Sequence, residues 1–212
     1  MPKYDPFKHH RRSIRLPGFD YTQAGAYFIT VYVKFGQCVL GEVADGEMVF
    51  SEWGEIVEAA WWDTGELRDH VALDTHQVMP NHFHGLLWIL HMDTPALEPV
   101  VVGAQRAAPL QQPPPEPAEP IGLGINVKPK SLGAIVRGFK SAVTNEINQL
   151  LGTPGAPFWQ RNYYDQIIRD EAHLRAVRQY ILNNPANWEA DQLHPNAPPN
   201  KFNREWPGKG KP

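Results

Sequence analysis

The 212-residue chain predicts an α+β fold, a central antiparallel sheet of ferredoxin/RRM-like type with helices mainly on one face. Three observations predict it. Short runs of β-branched and aromatic residues alternate with amphipathic helical stretches. The run from His82 to Leu90 is apolar on both faces after His84, as expected of a central strand covered above and below. The order strand, helix, strand, strand, helix, strand, helix suits a small sheet with helices packed against it.

Ala26 to Val33 reads as the first strand, entered through the turn-prone Thr22-Gln23-Ala24-Gly25. Cys38-Val39-Leu40 and Glu47 to Phe50 flank Asp45-Gly46, a turn dipeptide that predicts a small hairpin. Ser51 reads as the N-cap of a helix in which Trp53, Ile56, Val57, Ala60 and Trp61 recur at helical spacing, ending near Gly65. Ala72 to Val78 and His82 to Leu90 make two strands joined at Met79-Pro80-Asn81.

From Thr94 to Lys130 periodicity vanishes, and nine of the 21 prolines fall there. That stretch reads as a flexible Pro-rich insertion, about 94–130, within a single domain spanning 1–212 that ends in an extended tail, about 190–212. Ser131 opens a second helix with an apolar stripe of Leu132, Ile135, Phe139, Val143, Ile147 and Leu150, stopped at Gly152. Phe158 to Ile168 reads as a strand region. Asp170 caps a last helix in which Leu174, Val177 and Ile181 point inward and which Pro185 ends.

Composition sets the function class. With 42% hydrophobic and 20% charged residues the chain is expected to be globular, and its longest apolar run is far too short for a bilayer span. The basic, polar N-terminus has no secretory apolar stretch, and the lone Cys38 cannot form an internal disulfide, so a reducing cytoplasm is the expected location. A net charge of −3 hides an uneven distribution. Residues 1–16 carry Lys3, Lys8, Arg11, Arg12 and Arg15 against Asp5, and residues 128–140 carry Lys128, Lys130, Arg137 and Lys140 with no acid. Between Glu42 and Asp69 nine acids face Arg68 alone, so that segment should turn away from any nucleic acid.

Two short patterns carry chemistry. His82-Phe83-His84 puts two imidazoles on one face of a strand, where they could chelate one metal ion. Tyr180 and Asn184 stand one turn apart on a helix, about 6 Å along its axis, so an Asn184 oxygen completing the coordination would bring the phenol within reach of a phosphate on the same ion. Neither pattern suffices alone. An H-x-H pair also serves zinc hydrolases and structural histidines, and a tyrosine beside Val177 and Ile181 ordinarily covers a core edge. Tyr163 and Tyr164 are rival nucleophiles without a helical asparagine partner, and they suit strand packing or base stacking.

Five blocks stand in order: Arg11 to Gly18, Val78 to Gly85, Arg137-Gly138-Phe139-Lys140-Ser141, Trp159 to Tyr164, and Tyr180-Ile181-Leu182-Asn183-Asn184-Pro185. Together they resemble the REP-associated tyrosine transposases, single-tyrosine HUH enzymes related to IS200-like insertion-sequence transposases. The resemblance covers nearly the whole chain outside the proline-rich stretch and implies the HUH endonuclease fold. It implies His82, His84 and Asn184 as ligands of Mg²⁺ or Mn²⁺, Tyr180 as nucleophile, and cleavage of single-stranded DNA beside a hairpin through a 5′-phosphotyrosine bond. Arg11, Arg12, Arg15, Arg137, Lys140 and Arg161 are the expected phosphate contacts. The expected partner is hairpin-bearing single-stranded DNA, bound by a monomer or homodimer with no membrane involved. Rival readings are a host-adapted module that grips DNA hairpins without turnover, and a zinc hydrolase, which lacks a third His, Asp or Glu at recognisable spacing.

Overall fold

In the computed structural model residue 16, residues 18–90 and residues 127–203 are described. Arg11, Arg12 and Arg15, and nearly all of the proline-rich stretch, lie outside them. Strand β1 (Gly25–Tyr32) forms where β-branched and aromatic residues alternate, and its two neighbours satisfy its backbone on both edges. With β4 (Val71–Met79), β5 (His82–Ile89) and β6 (Tyr164–Ile167) it makes an antiparallel sheet of order β4-β5-β1-β6. The expected sheet is therefore present, with the His82 strand central.

Alternation along β1 and β5 divides the molecule. Phe83, Leu87 and Ile89 of β5, with Tyr27, Ile29 and Val31 of β1, pack under α1 (Glu52–Glu66) and α2 (Leu132–Leu151) in the larger core. At its centre Trp61 meets Phe83 and Phe139 with ring centroids 4.8 and 5.5 Å away. Gly85 leaves room for that indole, since a Cβ there would stand 2.7 Å from the Trp61 ring. The opposite face carries α3 (Glu171–Leu182) on a smaller cluster of Ala26, Phe28, Leu86, Leu174, Val177 and Ile181. Of the three α-helices among the described residues, two thus share one face, and the third takes the face onto which His82 and His84 project.

The helix ends follow the capping chemistry read from the sequence. Ser51, Ser131 and Asp170 each accept from a backbone N–H three residues on, and Gly152 closes α2 in the left-handed conformation at φ 63°. The hairpin of β2 (Gly41–Ala44) and β3 (Glu47–Phe50) turns through Asp45 and Gly46 at φ 52° and 80° and stands apart from the main sheet. Its first strand begins after Leu40. The expected strand at residues 38–40 is absent because Leu40 bonds main chain to main chain with Pro80 and Ser51 instead of a hairpin partner. Of the expected strand region at 158–168, residues 164–167 pair with β1, while Trp159 makes an isolated bridge to Val33 and Asn162, at φ 68°, breaks the run.

The turn that sets the site is Pro80-Asn81. Met79 pairs with His82, so two residues reverse the chain. Both are buried, and their carbonyls accept from Leu40 N at 3.0 Å and Val33 N at 2.9 Å. Beyond α3 the chain makes a 3₁₀ turn, Pro185–Ala190, and runs back across the sheet face to Asn203.

Candidate active site

His82 and His84 sit two apart on β5 and are essentially inaccessible to solvent. Their Nε2 atoms are 3.0 Å apart. Two ligand nitrogens each about 2.1 Å from one ion and at a right angle to each other would have that separation. Burial holds both imidazoles neutral, His84 pulled down to about 3 and His82 well below its usual range with the His84 ring adding to the effect.

The supporting hydrogen bonds fix which nitrogen faces the centre. Asn81 spends its amide N–H groups on Leu193 O at 2.7 Å and Gly36 O at 3.3 Å, so its Oδ1 must accept from His82 Nδ1 at 2.8 Å. His82 Nε2 then presents a lone pair. His84 Nδ1 lies 2.9 Å from Thr30 Oγ1, a hydroxyl that can donate or accept. Without an ion, His84 Nε2–H donates to His82 Nε2 and the Thr30 hydroxyl donates to Nδ1; with both Nε2 lone pairs on an ion, Nδ1–H donates to Thr30. The hydroxyl rotor accommodates either state.

α3 brings the phenol to this pair. Tyr180 Oη is 3.4 Å from His84 Nε2, and its ring stands edge-on to Phe28 and His84 at 6.0 and 5.2 Å. Burial chiefly, with the nearby Asp191 carboxylate, pushes the phenol up to about 12, while a hydrogen bond from Asn184 opposes the rise. Asn184 also bonds Asp191, whose carboxyl is raised by burial and eased down by Leu193 N–H first and then Asn184. Both bonds use the amide N–H groups. The Asn184 oxygen is buried and has no hydrogen-bond partner among the described residues.

Asp191 is the residue that sequence reasoning missed. Its carboxylate and the two imidazoles offer ligand atoms within 4.8 Å of one another, a group able to hold a divalent ion. It also supplies the third ligand whose lack counted against a zinc hydrolase. No spacing announces it, because the 3₁₀ turn, not a helix or strand period, carries it in. Two facing imidazole nitrogens and a carboxylate, with a buried amide bonded to that carboxylate, fit a metal ion better than they fit one another.

Of the expected basic contacts the described ones, Arg137, Lys140 and Arg161, lie on α2 and the loop that it meets. Arg137 is exposed on α2, in the helix layer of the far face. Lys140 turns its ammonium into the carbonyls of Gln160 and Asn162, both at 2.8 Å, and burial lowers it to about 8. Arg161 is exposed in the loop that Lys140 pins. Tyr164 packs edge-on against Phe28 and Phe202, and Tyr163 packs on the larger core, which gives both rings structural roles. The acids of α1 lie in the layer opposite the histidine pair. Among the described residues no helix is long and apolar enough to cross a membrane.

No family profile matches the chain. It is 34% identical over 192 residues to an uncharacterized protein of Haemophilus influenzae, covering 91% of this chain and 97% of that one. Among solved structures, a REP-associated tyrosine transposase bound to a REP hairpin aligns at TM-score 0.49 and 15% identity, over 91% of this chain and 77% of that one.

Proposed function

Starting from a chain that belongs to one family with the uncharacterized Haemophilus influenzae protein, we propose that it is a metal-dependent, transposase-type endonuclease and strand transferase acting on single-stranded DNA beside hairpins. The observation that carries the reading is the Tyr180 hydroxyl 3.4 Å from His84 Nε2, beside the Asn184 amide and the Asp191 carboxylate. The ordered blocks resembling single-tyrosine HUH transposases support it from the sequence side.

In the proposed reaction the Tyr180 oxygen attacks a backbone phosphorus. A phosphotyrosine bond forms as the phenol gives up its proton, the bond from phosphorus to the 3′ oxygen breaks, and that oxygen takes up one proton to leave as a hydroxyl, so the protons balance. Because the phosphoester is conserved, a later attack by a 3′ hydroxyl rejoins a strand without an external energy source. His82, His84 and Asp191 or Asn184 would hold a divalent ion, which would supply positive charge to favour phenolate and offset charge on the phosphoryl oxygens. The chain's own groups do the rest: the Asn184 N–H orients the phenol oxygen, and the Phe28 and His84 rings hold the tyrosine ring on edge. The mixed nitrogen and oxygen donor set suits Mn²⁺, and Mg²⁺ is the other ion that the resemblance implies.

Incubation with a hairpin-bearing single strand and Mn²⁺ should yield a covalent protein–DNA adduct that Tyr180→Phe abolishes. An adduct that persists in Tyr180→Phe overturns the assignment. Undiminished hairpin affinity with no cleavage under any divalent metal would assign the chain to binding without turnover. The His82, His84, Asp191 set also favours one second reading, a zinc hydrolase, which has no use for Tyr180. Zinc retained through purification, with ester hydrolysis unaffected by Tyr180→Phe, would select it.

A further inference from the structure

We propose that Arg178 and Asp74 form a latch that sets the rotation of α3 about its axis and so aims Tyr180 at the histidine pair. This inference rests on the tyrosine assignment above but draws on different residues. Asp74 lies where β4 loses register with β5, between Leu73 and His76, an irregularity that re-aims a side chain at a sheet edge. Its carboxylate collects five donors: Thr75 N at 2.7 Å and Thr75 Oγ1 at 3.0 Å, Trp88 Nε1 at 3.0 Å, and Arg178 Nε and Nη2 at 2.9 and 2.6 Å. The guanidinium therefore meets a carboxylate already fixed by the strand beneath it, in the forked two-bond geometry that specifies orientation as well as attraction.

Helix geometry says why orientation needs such a device. Only Leu174, Val177 and Ile181 of α3 are buried, a narrow stripe that resists lifting better than rolling. At 100° per residue, Arg178 flanks that stripe on one side and Tyr180 on the other. A fixed flank at Arg178 blocks rotation that the stripe alone would permit. The phenol oxygen stands about 8 Å from the helix axis, so a roll of about 10° carries it about 1.4 Å, comparable with displacements that reduce rates about a hundredfold.

Single-turnover adduct formation with a hairpin-bearing strand and Mn²⁺ tests the latch. Arg178→Ala and Asp74→Asn should each slow the step 10- to 100-fold while the dissociation constant for the same hairpin stays within twofold. The double variant should be no slower than the worse single one, since both break one interaction. Arg178→Lys, which keeps the charge and loses the fork, should remain at least tenfold slow. Hydrogen exchange gives an arm independent of chemistry: in Arg178→Ala the amides of residues 176–184 should exchange at least tenfold faster, with those of α2 unchanged. Wild-type rates in the single variants, additive losses in the double variant, equal losses in rate and hairpin affinity, or unchanged α3 exchange would each overturn the latch. A wild-type protein that forms no adduct while Arg178→Ala still loosens α3 would overturn the function reading and leave the latch standing.

Discussion

Acidifying the metal-free protein from pH 7 to pH 5 should destabilise it through the buried histidines. An unfolded imidazole titrates near 6.5, whereas burial holds His84 at about 3 in the folded state, so the unfolded chain binds the extra proton across this interval. The stability that the neutral ring contributes is present above pH 6.5 and is lost as pH falls from 6.5 towards 3. Integrating the difference between pH 7 and pH 5 gives roughly 2 kcal/mol for His84, and His82, lowered for the same reason, acts in the same direction. In a chain of this size that is roughly 4–8 °C in Tm. Urea unfolding with chelator present, at both pH values, in wild type and in His84→Gln, isolates the effect. Asp191, raised by burial, opposes it, and both proteins share that acid. The wild type should lose about 2 kcal/mol more than the variant. Equal losses in the two proteins would refute the reasoning, since the ring would then titrate alike folded and unfolded.

Gly85→Ala should cost about 1–3 kcal/mol, measured by denaturant unfolding, because the added methyl meets the Trp61 and Phe83 rings at 2.7 Å. Asn81→Ala frees the His82 ring that Asn81 Oδ1 orients, so Mn²⁺ affinity measured by titration calorimetry should fall about 10- to 100-fold. Asp191→Asn should weaken the same affinity, and unaltered Mn²⁺ binding would remove Asp191 from the donor set. Arg161→Ala should lower the slope of log affinity against log salt for single-stranded DNA by about 0.7, the figure for one phosphate contact, whereas Lys140→Ala should leave that slope unchanged because two carbonyls already engage its ammonium.

Much of this arrangement was legible from periodicity. The period of two that put Phe83 in the larger core also put His82 and His84 together, and the period of 3.6 that buried Leu174, Val177 and Ile181 also stacked Tyr180 over Asn184. Caps at Ser51, Ser131 and Asp170 were readable because each is a local side chain to backbone bond. What escaped was not periodic. Leu40, read as part of a hairpin strand, is wholly buried and serves a junction between Pro80 and Ser51 instead. Asp191 enters through a 3₁₀ turn, and Asn81, read as a turn residue, also holds the His82 ring through contacts with Gly36 and Leu193 that are far away in sequence. Lys140 was visible as charge, but its bend into the loop at Gln160 and Asn162 depends on tertiary proximity.

The Pro80-Asn81 reversal makes loop length a matter of odd and even. Adding one residue there while the turn stays two residues long would slip the register by one, turn Phe83 and Leu87 of β5 towards α3 and press its imidazoles against Trp61, undoing packing and chemistry in a single event. Adding two would return every side chain to its own side and leave only the buried corner to rebuild. Lineages descended from this chain should therefore tolerate length changes at that corner by twos and discard them by ones.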